Sequence, residues 1–161
     1  MNCKQCSYIH FSSDRFLFLS MTVLNKLTRT IYNTFSVDFS MLILRLTFGI
    51  LMVPHGYAKF QGFEERQHKF MEFMGLSGPV SLALTIFAEL VCAALLAAGL
   101  FTRLVCIPLI ITALVIVFAA HDGDIFGDAS SGFFYLIGYL VIFLVGPGRY
   151  SLDAVLSRKF N

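Results

Sequence analysis

Residues 41–60, MLILRLTFGILMVPHGYAKF, decide how the rest of the chain must fold. The stretch is apolar and long enough to cross a bilayer, which takes about 20 residues, yet it carries Arg45, His55 and Lys59. A charge at the bilayer centre costs about 2.5–3.5 kcal/mol on insertion scales, so these side chains need partners. In a helix they fall near one face together with two glycines, while the opposite face of Leu, Ile and Phe suits lipid.

The composition of the 161-residue chain is that of a membrane protein. Hydrophobic residues make up 57% of the chain and charged residues 14%, whereas soluble domains have about 45–50% and about 25%. The mean hydropathy is +0.77. The net charge is only +2, and no basic patch with interleaved aromatic residues occurs. We therefore expect the lipid bilayer as the main partner and no nucleic acid.

Apolar runs predict four membrane-spanning helices, at residues 41–60, 79–100, 104–120 and 132–146. The very short turn after the second span makes spans two and three adjacent and antiparallel. Lys and Arg concentrate in the amino-terminal arm, the second connection and the tail, whereas the loop after span three holds aspartates and no basic residue. The positive-inside rule then places both termini in the cytoplasm.

The amino-terminal residues need a separate interpretation. Residues 1–20 have no clear structural pattern, and Met21 is an alternative start that would make them a misassigned extension; both starts stay open. Residues 21–37 predict an amphipathic helix with a cationic polar face, suited to the membrane interface or simply to water. Cys3 and Cys6 form a CxxC without the context of a redox motif, so we interpret the pair as incidental. The predicted fold is all-α: an integral membrane four-helix bundle with an N-terminal amphipathic interfacial helix.

Glu89 is the single acidic residue inside a predicted span, near the middle of the second. Because helices rise about 1.5 Å per residue, Arg45 and His55 lie within about two turns of its depth, one on either side. We expect Glu89 to accept hydrogen bonds from Arg45, from His55 or from both. Three arrangements stay open: a polar pocket that opens to the outer face, a static ion pair that only fixes helix register, and helices rotated so that these groups never meet.

Five polar residues make up the predicted intramembrane pocket: Arg45, His55, Lys59, Glu89 and His121. Alternatively, Lys59 only extends to the lipid headgroups, and His121 only caps its helix. The sequence has no spacing typical of metal ligands, no nucleophile–base pair and no phosphate or dinucleotide motif. It therefore predicts no metal site and no built-in cofactor, and it leaves any catalytic residue unknown.

Several short motifs in a fixed order carry a family resemblance. They are Arg45, PHGYAKF at residues 54–60, Gly75-Leu76, Glu89, GLFTR at residues 99–103 and GPGRYSLD at residues 146–153. Over residues 38–157 the chain resembles the DoxX family of small four-span bacterial membrane proteins. The resemblance implies a four-helix bundle in the bacterial inner (plasma) membrane, with the five pocket residues as its polar positions.

The resemblance also implies a link to redox chemistry, since such proteins are associated with quinone-coupled thiosulfate oxidation and with complexes that handle thiol or oxidative stress. The first hypothesis is therefore the membrane component of a quinone- or thiol/sulfur-linked redox complex. In it a diffusible quinone or a small sulfur compound binds the pocket, His55 moves a proton, and Arg45 or Lys59 holds an anion or a carbonyl oxygen. The second is a small-solute or proton pathway gated by Glu89, and the third is a structural anchor. A redox partner protein and a homo-oligomer are the candidate protein partners, and enzymatic activity is left open.

Overall fold

The computed structural model describes residues 33–70, 72, 75–120 and 123–160. The predicted segment 1–20 and most of the predicted interfacial helix at 21–37 lie outside these residues. Five longer helices and one helical turn at Phe63–Arg66 follow one another in the described part of the chain. The helices are α1 (Thr34–Gln61), α2 (Gly78–Ala98), α3 (Thr102–Ala120), α4 (Ser130–Val145) and α5 (Leu152–Phe160).

Helices α1 to α4 pack side by side as a bundle, in which α1 and α3 each contact both α2 and α4. By length and composition α1, α2 and α3 are long and apolar enough to cross a membrane, and α4 is a shorter apolar helix. The 16 residues of α4 rise about 24 Å, less than the hydrocarbon core of about 30 Å. The prediction of an all-α membrane helical bundle is confirmed.

Helix α1 begins earlier than the sequence pattern predicted. The predicted span started at residue 41 after a separate interfacial helix, but α1 begins at Thr34 and continues for 28 residues. Residues 34–37 therefore belong to the long helix, because neither Pro nor Gly interrupts residues 34–41. A helix of this length rises about 42 Å, so it extends beyond the hydrocarbon core.

Small residues bring the helices close together. A Cβ added to Gly49 of α1 would lie 2.8 Å from the Cβ of Ala97 and 2.8 Å from the carbonyl oxygen of Ala93, both in α2. Gly138 of α4 similarly leaves room for the Phe48 ring, whose Cζ would lie 2.5 Å from an added Cβ. Such positions allow close helix contacts in lipid, where tight packing replaces the hydrophobic effect as the source of stability.

The chain after α4 joins the ends of the other helices. We call residues 146–153 the C-terminal junction; two of its glycines have positive φ angles, of 95° and 71°. The Asp153 carboxylate accepts hydrogen bonds from the backbone N–H groups of Phe101 and Thr102 at 2.7 and 2.8 Å. It thereby satisfies N–H groups that the start of α3 leaves without intrahelical partners.

Candidate functional site

Lys59 and Glu89 form an ion pair between α1 and α2. The Lys59 Nζ donates to both carboxylate oxygens of Glu89, at 2.7 Å to Oε1 and 2.5 Å to Oε2. The Glu89 side chain is 1% exposed and that of Lys59 is 22% exposed. Burial of a carboxylate is costly unless a countercharge and hydrogen bonds accompany it, and Lys59 supplies both.

Gly56 and an irregular turn of α2 set the geometry of this pair. A Cβ added to Gly56 would lie 2.7 Å from the backbone N of Leu90 and 3.0 Å from the Cβ of Glu89. Glu89 itself lies in a π-helical segment of α2, Phe87–Cys92. Single π-helical turns occur frequently at functional sites. The glycine allows α1 to approach this segment closely enough for Lys59, three residues later, to reach the carboxylate.

The ion pair lines a cavity of about 200 Å³, which we call the first cavity. All four helices of the bundle contribute to its wall. The lining residues are Met52, His55 and Lys59 of α1, Glu89 of α2, Ala113 and Ile116 of α3, and Ser131, Gly132 and Tyr135 of α4. The His55 and Tyr135 rings meet nearly at right angles, at 82°, with centroids 6.2 Å apart. The structure thus brings His55, Lys59 and Glu89 together at one cavity.

Exposed residues of α1 and α4 line part of the first cavity. His55 and Ser131 are exposed, whereas Glu89 at the opposite wall is buried. Leu51, one turn before His55, is 55% exposed, and Phe134, one turn after Ser131, is 68% exposed. Large apolar side chains exposed on membrane helices contact lipid. The lining of the first cavity therefore joins exposed residues of α1 and α4, next to exposed apolar side chains, to the buried carboxylate of the ion pair.

Arg45 lies at the opposite end of the bundle and does not line the first cavity. Its side chain is fully buried. The Nη2 donates to the carbonyl oxygen of Tyr150 at 2.8 Å, and Nη1 lies where a Cβ on Gly99 would be. The structure therefore corrects the expected contact between Arg45 and Glu89. Arg45 and the ion pair lie at different depths in the bundle, because Arg45 is about 21 Å along α1 from Lys59. Arg45 is instead level with the turn that ends α2.

One predicted site residue is not described by the structure, and two residues that line the first cavity were not predicted. His121 lies outside the described residues, so its predicted place in the pocket stays a prediction. Tyr135 and Ser131 line the first cavity although the sequence analysis did not select them. In the sequence, both residues could have been selected because each carries a hydroxyl group within the otherwise apolar helix α4. Among the described residues, no group of three or more His, Cys, Asp or Glu side chains could hold a metal ion.

Comparison with known proteins identifies the family. The chain matches the DoxX family over residues 40–122. Over 127 residues the chain is 29% identical to the inner membrane protein YqjF of Escherichia coli. This alignment covers 76% of this chain and 96% of that protein. The chain is also 29% identical over 135 residues to the uncharacterized membrane protein Rv3486 of Mycobacterium tuberculosis, covering 74% of this chain and 83% of that protein. No solved structure matches the chain significantly.

Both relatives are membrane proteins of bacteria. Together with the long apolar helices of the bundle, they support a location in the bacterial inner membrane. The family match covers more than half of the 161 residues and includes both partners of the ion pair. The chain belongs to the DoxX family.

Proposed function

We propose that this protein is the membrane component of a redox complex and that its first cavity binds the headgroup of a quinone. The observation that carries the proposal is a cavity whose lining includes both exposed residues of α1 and α4, beside exposed apolar side chains, and the buried ion pair. In the proposal the ligand enters at the exposed residues. A ligand that enters there comes from the lipid, yet it meets polar groups of His55, Lys59 and Glu89 inside. A quinone has this dual character, because an apolar tail carries a ring with two carbonyl oxygens.

The size of the first cavity supports a single ring as the bound group. Its volume of about 200 Å³ is below the range of about 300–1,000 Å³ that is typical of sites for drug-sized ligands. The headgroup fills such a space while the tail stays in the bilayer. An ammonium group has three donors; Lys59 directs two of them to Glu89, so the third is available for a quinone carbonyl oxygen.

The side chains of the first cavity suit proton transfer to the headgroup. Reduction of a quinone to a quinol consumes two electrons and two protons. In this proposal a redox partner protein supplies the electrons, and the present chain binds and orients the ring and passes protons to it. Imidazole and carboxylate groups are the side chains most used for proton transfer. His55 would serve one carbonyl oxygen, and the Lys59 ammonium group, held in place by Glu89, would serve the other.

The proposal is tested by the binding of decylubiquinone, a short-tailed quinone, to the full chain in lipid nanodiscs. We expect saturable binding that weakens at least about tenfold in His55→Ala and in Glu89→Gln, as loss of a polar or charged contact predicts. The matched controls are His68→Ala and Glu65→Gln, which change exposed residues of the connection after α1. Circular dichroism establishes that each variant is folded.

The outcomes separate the three hypotheses. A folded wild-type protein that does not bind the quinone, or cavity variants that bind as well as the controls, would refute the proposal. Proton or solute flux through the protein in liposomes would then favour a pathway gated by Glu89. Absence of both binding and flux would favour a structural anchor in which the ion pair only fixes the helices.

A further inference from the structure

A second cavity, of about 430 Å³, adjoins the first. The two cavities share Lys59 and Ile116 in their linings. The second cavity extends to Lys69, in the connection after α1, and to Ala120, the last residue of α3, and both are exposed. Its lining therefore reaches exposed residues at the end of the bundle that lies beyond α1 and α3.

The polar groups of the second cavity are those that bind anions. Lys59 and Lys69 contribute two ammonium groups, and Thr85 and Thr112 contribute two hydroxyl groups. Among the described residues that line it, none is Asp or Glu. A cleft with charges of one sign and apolar walls concentrates ions of the opposite sign. The Thr85 hydroxyl already donates to the carbonyl oxygen of Ser81 at 2.9 Å, so Thr112 is the better hydroxyl donor for a ligand.

We propose that the second cavity is a binding site for a small oxyanion, held between Lys69 at its mouth and Lys59 at its inner end. The Lys59 ammonium directs two donors to Glu89, and its third can reach an anion on the other side. This is the donor that a quinone carbonyl oxygen would use, so a bound oxyanion and a bound quinone would compete for it while both contacts to Glu89 are kept. The source of the oxyanion is either a free solute such as phosphate or the phosphate of a lipid headgroup.

This proposal does not depend on quinone binding, because Lys69 and Thr112 line the second cavity and not the first. The probe is radiolabelled inorganic phosphate, added to the full chain in phosphatidylcholine nanodiscs. We expect saturable binding that is weakened about tenfold by Lys69→Gln, as loss of one charged hydrogen bond predicts. Thr112→Val, which keeps the side-chain shape, should weaken it severalfold. Arg66→Gln is the matched control, since Arg66 is an exposed cation of the same connection that does not line the cavity.

Each result bears on the proposal. Absence of saturable binding, or equal losses in Lys69→Gln and Arg66→Gln, would overturn it, since equal losses indicate general attraction to a basic surface. Binding that persists unchanged when phosphatidylglycerol is added to the nanodiscs identifies a free anion, and binding that this lipid displaces identifies a headgroup. Decylubiquinone affinity measured in Lys69→Gln should equal that of the wild type. A failure of the anion site is thereby distinguished from a failure of the quinone site.

Discussion

Replacing Lys59 and replacing Glu89 should each destabilise the protein, but by different amounts. Lys59→Met leaves the Glu89 carboxylate, 1% exposed, without a countercharge, whereas Glu89→Gln leaves a lysine that is 22% exposed. Breaking a buried ion pair from one side costs about 3–5 kcal/mol because an uncompensated charge remains. We expect Lys59→Met to cost about 3 kcal/mol, at the low end of this range, because the first cavity gives the carboxylate some access to water.

Glu89→Gln should cost only about 1 kcal/mol, for two reasons. The amide oxygen still accepts a hydrogen bond from Lys59, and the long lysine side chain can extend toward water through the second cavity. The double variant Lys59→Met/Glu89→Gln should cost less than Lys59→Met alone, since no unpaired charge is left. The coupling energy of this cycle should be about 2–3 kcal/mol.

The assay is unfolding of the purified variants in mixed detergent micelles by increasing dodecyl sulfate, followed by far-ultraviolet circular dichroism. Lys69→Met is the control; it changes an exposed lysine and should stay within about 0.5 kcal/mol of the wild type. Equal losses for the two single variants, or a double variant whose loss is the sum of both, would refute the reasoning. Additive losses would mean that Glu89 does not depend on Lys59, and equal single losses would mean that the difference in burial does not make the two partners unequal.

Two further substitutions test the packing that surrounds the site and the junction. Gly56→Ala places a Cβ 2.7 Å from the backbone N of Leu90, so overpacking should cost about 1–3 kcal/mol in the same unfolding assay. Because it separates α1 from Glu89, it should also weaken decylubiquinone binding; unchanged affinity would show that this contact does not set the cavity. Asp153→Ala removes the acceptor of two backbone N–H groups and should cost about 0.5–2 kcal/mol, as loss of a helix cap does. Asp153→Asn keeps one acceptor oxygen and should lose less, and equal losses would argue against a capping role.

The bundle and part of the site could be predicted from sequence because a membrane penalises each unpaired polar group. This cost made Glu89, Lys59 and His55 conspicuous within apolar runs, and the structure brings the three together. The partner of Glu89 was not predictable in the same way, because depth along the helices allowed several donors. Lys59 reaches it because Gly56 lets two helices approach closely, which is a property of packing.

The position of Arg45 depends on a contact that local sequence does not reveal. Its guanidinium group bonds to a carbonyl oxygen 105 residues later in the chain, in the C-terminal junction. The sequence correctly identified Arg45 as a charged residue that needs a partner within the bundle. It did not identify the C-terminal junction as the segment that supplies this partner. A motif that resembled a tail beyond the last span, GPGRYSLD at residues 146–153, turns out to fold back onto the helix ends.

The motifs that carry the DoxX resemblance therefore divide between two ends of one bundle, with different physical roles. At the junction end, Arg45 lies beside Gly99, at the carboxyl end of α2, where the helix dipole favours a cation. Its Nη2 donates to the backbone carbonyl oxygen of Tyr150, and the side chain is fully buried and lines neither of the two cavities. At the cavity end, Lys59 lines both cavities and directs only two of its three donors to Glu89. A change at the junction should therefore lower stability at unchanged ligand affinity, whereas Lys69→Gln should lower anion affinity at unchanged stability. A cation near a helix end therefore acts as structural support at Arg45, where the side chain is enclosed. At Lys59, where a cavity reaches the side chain, it acts as a candidate binding group.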